Sequence, residues 1–78
     1  MNKVFILAGT HEQARTLARF HDMAPSCWTY LANEYQLNGL RNLTLWLYGT
    51  WRDDPDASKI IVLAKSRGFK VFEIKERT

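Results

Sequence analysis

The segment from residue 43 to residue 48 constrains the fold of this chain more than any other part of the sequence. It reads Leu-Thr-Leu-Trp-Leu-Tyr, so leucines occupy one face of an extended strand while threonine and two aromatic residues occupy the other. Because the residues of both faces are apolar or bulky, neither face is suited to water. The pattern predicts a central β-strand that is covered on both of its faces, as strands are in parallel sheets flanked by helices.

An apolar run near the N-terminus ends in the same way as this central run. Residues 3–8 are followed by Gly9-Thr10, and the central run is followed by Gly49-Thr50. Two such strands predict one α/β sheet. Residues 27–32 and 69–75 are predicted as two further strands, and the last of these alternates charged with apolar residues, which favours an edge position.

Two helices are predicted between the strands. The first begins at His11, because Thr10 can cap it and the side chain of Gln13 can reach back to the backbone N–H of Thr10 in a capping box. The second begins at Pro55, directly after the capping residue Asp54. Spacing at i, i+3, i+4 and i+7 predicts the stripes that face the sheet. These are Ala14, Leu17, Ala18 and His21 in the first helix, and Ala57, Ile60, Ile61 and Ala64 in the second.

The order of these elements predicts the topology. Strand–helix–strand units require right-handed crossovers, and the two most apolar strands belong at the centre of the sheet. The predicted fold is a single three-layer α/β domain over residues 1–78, with a four-stranded, mostly parallel sheet in the order 2-1-3-4 and helices on both faces. This is a minimal Rossmann/flavodoxin-like arrangement. Strands one and three are neighbours whose connections leave on opposite sides, so a crevice is predicted beyond their carboxyl ends.

That crevice is the predicted position of any small ligand. Backbone N–H groups at a helix N-terminus, a hydroxyl, an imidazole and a guanidinium can together hold an anion such as a phosphate. Gly9 and Thr10 are needed in any case to end a strand and cap a helix, and this structural explanation is the stronger one, so a phosphate-containing ligand stays an alternative. The candidate ligand-binding residues are Gly9, Thr10, His11, Gly49, Thr50 and Arg52.

No motif in the sequence predicts catalysis. Neither GxGxxG nor the phosphate-binding loop GxxxxGK[ST] occurs. Two histidines and one cysteine lack the spacing of metal ligands. We therefore predict no catalytic residue, no metal site and no cofactor, and whether any reaction is catalysed stays open.

Two aromatic residues are predicted to bind a partner. A small sheet cannot cover every aromatic side chain, and Tyr and Trp contribute strongly to protein interfaces. Trp51 and Tyr35 are the candidates. For both of them, packing at the core or its rim is an equally good interpretation.

Composition and charge limit the class of protein. A chain of 78 residues, of which 46% are hydrophobic, forms one small domain, and so short a domain is compatible with a homodimer. The net charge of +3 falls short of a dedicated nucleic-acid surface, so any such binding is predicted to be weak. No apolar run approaches the roughly 20 residues that cross a membrane. Because Met1-Asn2-Lys3 leads directly into a strand, without a signal peptide, we expect a cytoplasmic protein.

Several short motifs run through nearly the whole chain. They are Ile-Leu-Ala-Gly at 6–9, Gln-Ala at 13–14, Leu-Ala-Arg at 17–19, Trp-Thr-Tyr at 28–30, Leu-Asn-Gly-Leu-Arg at 37–41, Leu-Trp-Leu-Tyr-Gly-Thr-Trp at 45–51 and Ala-Lys-Ser-Arg-Gly at 64–68. Together they resemble small proteins encoded by tailed phages and prophages. The resemblance implies a single Rossmann-like domain of viral origin in the host cytoplasm, and it carries over no catalytic residues.

The leading hypothesis is a small phage accessory protein that acts as a non-enzymatic protein-binding module. Its partner would be a host or viral protein. One alternative is nucleotide or phosphate binding at the crevice of strands one and three. The other is weak binding of nucleic acid.

Overall fold

Residues 3–75 form four β-strands and two α-helices, joined by loops that include short 3₁₀ helices. A computed structural model of the protein describes residues 3–75. Met1 and Asn2, which are predicted to lead directly into the first strand, lie outside the described residues. Within the described part of the chain, no helix is long and apolar enough to cross a membrane. The strands are β1 (Val4–Ala8), β2 (Trp28–Tyr30), β3 (Thr44–Tyr48) and β4 (Lys70–Ile74), and the helices are α1 (His11–Phe20) and α2 (Ala57–Ser66).

The strands form one parallel sheet in the order β2-β1-β3-β4. The central pair, β1 and β3, is in register from Val4 beside Thr44 to Ala8 beside Tyr48. β2 is shorter and pairs only with β1, while β4 pairs only with β3. The predicted Rossmann/flavodoxin-like α/β fold, its strand order and the edge position of β4 are therefore confirmed.

Alternate residues of the central strands point to opposite faces of the sheet, and each face has its own core. On what we call the α2 face, Leu7 and Leu45 pack with Ile60 of helix α2. On the α1 face, Ile6 packs with Leu17 of helix α1. Ile6, Leu7, Leu45 and Ile60 have no exposed surface. On β3 itself, Leu45 and Leu47 are buried on the α2 face, while Trp46 on the α1 face is only partly covered. The predicted cover of both faces is therefore complete on the α2 face and partial on the α1 face.

Helix α1 begins at His11, as predicted, and Thr10 is its cap. The hydroxyl of Thr10 accepts a hydrogen bond from the backbone N–H of Gln13 at 3.2 Å. The other half of the predicted capping box is wrong, because the side-chain oxygen of Gln13 accepts from the N–H of Gly9 instead, at 2.9 Å.

Helix α2 begins at Ala57, two residues after the predicted start at Pro55. The carboxylate of Asp54 accepts the backbone N–H of Asp56 at 2.9 Å. The carbonyl of Asp54 also accepts the N–H of Ala57. These two bonds close a turn around Pro55, so the proline lies before the helix rather than in its first position.

Leu47 offers a test of the central strand, because only 6% of its surface is exposed within the α2-face core. We expect Leu47→Ala to lower the free energy of unfolding by about 2–5 kcal/mol, through lost burial and the cavity left behind. Urea denaturation followed by circular dichroism measures this change. The matched control is Val62→Ala on α2, where the side chain is 68% exposed and we expect a change within about 0.5 kcal/mol. Equal losses in the two variants would contradict the burial of Leu47.

Candidate functional site

The loops that follow β1 and β3 meet at the carboxyl ends of these strands, where the sequence predicts the crevice. They approach so closely that a Cβ atom at Gly9 would collide with the hydroxyl of Thr50. Gly49 has a φ of 63°, and a Cβ atom there would collide with the carboxamide of Gln13. Glycine is required at 49 for its backbone conformation and at 9 for the close approach of the two loops.

The carboxamide of Gln13 holds these two loops together. Its Oε1 accepts hydrogen bonds from the N–H of Gly9 at 2.9 Å, the N–H of Thr50 at 3.1 Å and the hydroxyl of Thr50 at 3.3 Å. A carbonyl oxygen has two lone pairs, so three donors occupy its accepting capacity. These backbone N–H groups are among the donors that the sequence predicts for a phosphate. An oxygen of the protein itself therefore occupies the point where they converge.

The structure separates His11 and Arg52 from this crevice. The ring centre of His11 lies 6.1 Å from that of Trp28 and 5.1 Å from that of Tyr30 in β2. The guanidinium of Arg52 forms an ion pair with Glu73 of β4 at 3.1 Å. Because β2 and β4 are opposite edges of the sheet, the structure directs these two side chains toward different edges and does not bring them together. Their part in an anion site stays a prediction. Gly9, Thr10, Gly49 and Thr50 lie at the crevice as predicted, and their binding of a ligand stays a prediction.

The two predicted partner-binding aromatics lie in different surroundings. Trp51 is partly buried against the α2-face core, and the guanidinium of Arg52 lies 4.6 Å from its ring centre. Tyr35 is 72% exposed and belongs to the 3₁₀ helix Glu34–Leu37. Leu37 anchors that short helix in the core, with no exposed surface. Trp51 thus contributes packing, whereas the ring of Tyr35 is accessible to a partner.

An apolar surface that the sequence analysis does not predict lies on the α1 face, beside β4. Helix α1 packs on β1, β2 and β3, while β4 lies beyond β3. The space between α1 and β4 is a groove, which we call the β4 groove. Phe20, on its helix side, is 74% exposed. The residues that line the groove include Leu17, Phe20, His21, Tyr48, Ile74 and Lys75.

Phe72 and Trp46 lie on the same face of the sheet as the residues of β3 and β4 that line the groove. Phe72 precedes Ile74 by two positions, so both side chains lie on the same face of β4. Phe72 is 50% exposed. Its neighbour on β3 is Trp46, and the ring centre of Trp46 lies 5.0 Å from that of His21. His21 is itself exposed and caps the C-terminus of α1. The ring of His21 lies beside Trp46 of the sheet, which agrees with its predicted place on the sheet-facing side of α1, and the residue stays exposed at the edge of the core.

A comparison of the width of the predicted sheet with the width of one helix indicates this surface. Four strands spaced about 4.8 Å apart place the axes of the two edge strands about 14 Å from each other. A single helix is only about 10 Å wide. On the α2 face, the 3₁₀ helices Glu34–Leu37 and Trp51–Asp53 add cover beside α2. One short helix on the α1 face therefore leaves an edge strand partly uncovered.

Two further observations limit what the site can be. Among residues 3–75, no group of three or more His, Cys, Asp or Glu side chains is placed to hold a metal ion. No protein-family model matches the chain, and comparisons with curated proteins and with solved structures gave no match.

Gln13 provides a test of the contact between the loops. We expect Gln13→Ala to lower the free energy of unfolding by about 1 kcal/mol, because three donors lose a partly buried acceptor. Amide hydrogen exchange at Gly9 and Thr50 should become faster. Gln13→Glu keeps an acceptor oxygen and places a negative charge in the first turn of α1, so it should retain most of the stability at neutral pH. Equal loss in both variants would show that the acceptor oxygen is not what holds the loops.

The phosphate prediction has a separate test. A phosphate at the crevice must displace the oxygen of Gln13 from the N–H groups of Gly9 and Thr50. Titration with inorganic phosphate should therefore shift these two amide resonances more in Gln13→Ala than in the parent protein. Arg52→Ala should respond like the parent, because Arg52 is held against β4. Absence of a shift in all three proteins would contradict phosphate binding at this crevice.

Proposed function

We propose that the protein acts by binding another protein, without catalysis, through the β4 groove. The observation that carries this proposal is the exposure of two phenylalanines: Phe20, which lines the groove, and Phe72, which lies on the same face of β4 as the groove residue Ile74. Contiguous apolar patches on soluble domains mark interaction sites, and aromatic residues are enriched at the centres of protein interfaces. The resemblance to small proteins of tailed phages and prophages supports an accessory role with a host or viral partner.

The elements on both sides of the β4 groove are held in place without a partner. On one side, Ala14 and Ala18 let α1 pack closely on the sheet, and both side chains are buried. On the other side, β4 pairs with β3 along its whole length. The floor is formed by Leu17 and Tyr48, which are also buried. A preformed groove of this kind binds without a large cost of ordering.

Tyr35 does not belong to this surface. The 3₁₀ helix that carries it packs against α2, on the opposite side of the sheet from α1. A single exposed aromatic residue is normal for a folded protein and does not require an interface. Tyr35 as a partner-binding residue stays a prediction that can be compared directly with the groove.

Affinity capture from a bacterial lysate tests the proposal with matched variants. The immobilised parent protein should retain a partner that the double variant Phe20→Ser/Phe72→Thr loses. Val62→Ser is the matched control, because it removes an equally exposed apolar side chain from α2. Urea denaturation confirms that each variant is folded.

The outcomes of this capture separate the candidate surfaces. The proposal would be contradicted if the double variant still retained the partner. It would also be contradicted if the parent protein retained none. Loss of the partner in Tyr35→Ser but not in the double variant would place the interface on the 3₁₀ helix Glu34–Leu37 instead.

A further inference from the structure

We propose that the β4 groove receives an amphipathic α-helix of the partner, and that acidic residues flank the apolar stripe of that helix. This inference rests on the proposed protein-binding function and adds the shape and charge of the partner. Three features of the groove support it: its dimensions, the arrangement of its apolar residues and the charges around it.

The dimensions of the groove match one short helix. Its floor and one wall are β3 and β4, which have five residues each and are therefore about 17 Å long. A helix of about 11 residues has the same length. The two helices of this domain have ten residues each. Since α2 already covers β4 on the other face, a helix in the groove would complete the corresponding layer on the α1 face.

The apolar residues of the groove form two sides and a floor, which is the arrangement that receives the apolar face of a partner helix. Phe20 lies on the α1 side of the groove, and Phe72 and Ile74 follow one another along the β4 side. Leu17 and Tyr48 lie between these two sides. Helices that bind in grooves present apolar residues at i, i+3 or i+4, and i+7, in a row that inserts between two walls. The groove has two such walls and an apolar floor.

Among the described residues, the charged side chain that lines the groove is that of Lys75. Lys70 shares the face of Phe72 on β4. Arg19 and Asp22, which have opposite charges, are both exposed at the C-terminal end of α1. By strand alternation, Glu73 lies on the opposite face of β4, where it pairs with Arg52 at 3.1 Å. On α1, the carboxylate of Glu12 is already paired with Arg15, at 3.5 Å.

The basic residues of the groove favour an acidic helix of another protein over a second copy of this chain. A second copy of the chain would bring the same basic side chains face to face, at a cost from like-charge repulsion. A helix with acidic residues beside its apolar stripe would pair with them instead, because complementary charges set orientation and specificity at interfaces. The geometry therefore favours an acidic helix over a homodimer at this surface.

Peptide selection tests the inference without knowledge of the natural partner. The probe is a displayed library of random peptides of about 16 residues, enough for four helical turns. It is selected on the immobilised parent protein and depleted on the Phe20→Ser/Phe72→Thr variant. We expect enriched peptides to repeat apolar residues at i, i+3 or i+4, and i+7, and to carry a net negative charge. A synthetic copy of one such peptide should gain helical circular dichroism when it binds.

Two charge reversals then test the acidic flank. Lys75→Glu should weaken binding of the enriched peptide about threefold or more, and added salt should reduce the difference from the parent. Lys59→Glu is the matched control, because Lys59 is exposed on α2, away from the groove, and its reversal should leave binding unchanged. Phe72→Thr should weaken binding about tenfold, because aromatic anchors dominate interfaces of this kind.

The results separate this inference from the proposed function. Enrichment of basic peptides, of peptides without helical periodicity, or of none above the depleted variant would overturn the acidic helix. Equal weakening by Lys75→Glu and Lys59→Glu would do the same. Sedimentation equilibrium should show a monomer, and a dimer that dissociates in Phe20→Ser/Phe72→Thr would assign the groove to a second copy. If lysate capture still yields a partner that depends on the groove, the proposed function stands while the inference falls.

Discussion

The parallel pairing of β1 with β3 determines where every other element of this domain can lie. Each of these strands has a neighbour on both edges, so their backbone groups are paired on both sides and their side chains must be covered on both faces. The chain leaves β1 through α1 toward one edge and leaves β3 through α2 toward the other. Right-handed crossovers then place the two helices on opposite faces. The crevice follows from this divergence and requires no further feature of the sequence.

Glutamine side chains stabilise the loops that this arrangement creates. Gln13 joins the loops after β1 and β3, as described above. Gln36 performs a similar role after β2, where its Oε1 accepts the N–H groups of Ala32 and Asn33 and its Nε2 donates to the carbonyl of Tyr30 at 3.0 Å. A carboxamide both donates and accepts, so it can satisfy backbone groups that a strand leaves unpaired at its end. Backbone groups after β1, β2 and β3 are thereby paired with the protein's own side chains, and the exposed phenylalanines lie at the side of the sheet instead.

Local patterns in the sequence predict most of the fold but only part of the site. The two-sided apolar pattern of β3 is enough to place it at the centre, and Thr10 is enough to start α1. The target of the Gln13 side chain could not be predicted, because Thr50 lies 37 residues away and the local spacing matches an ordinary capping box. The exposure of Phe20 and His21 could not be read from periodicity either. Periodicity indicates which side of a helix faces a sheet, but it does not indicate how far the sheet continues beneath that side.

The all-parallel sheet also governs the order in which the domain can assemble. No two strands within residues 3–75 are joined by a hairpin. The partners of Val4 in β1 are Trp28 and Thr44, which lie 24 and 40 positions later. Contacts so distant in sequence require large loops to close before they stabilise anything, which slows folding. β1 therefore has no complete set of neighbours until β3 has been synthesised. In a domain with this sheet, topology determines how long its most buried strand is exposed to water.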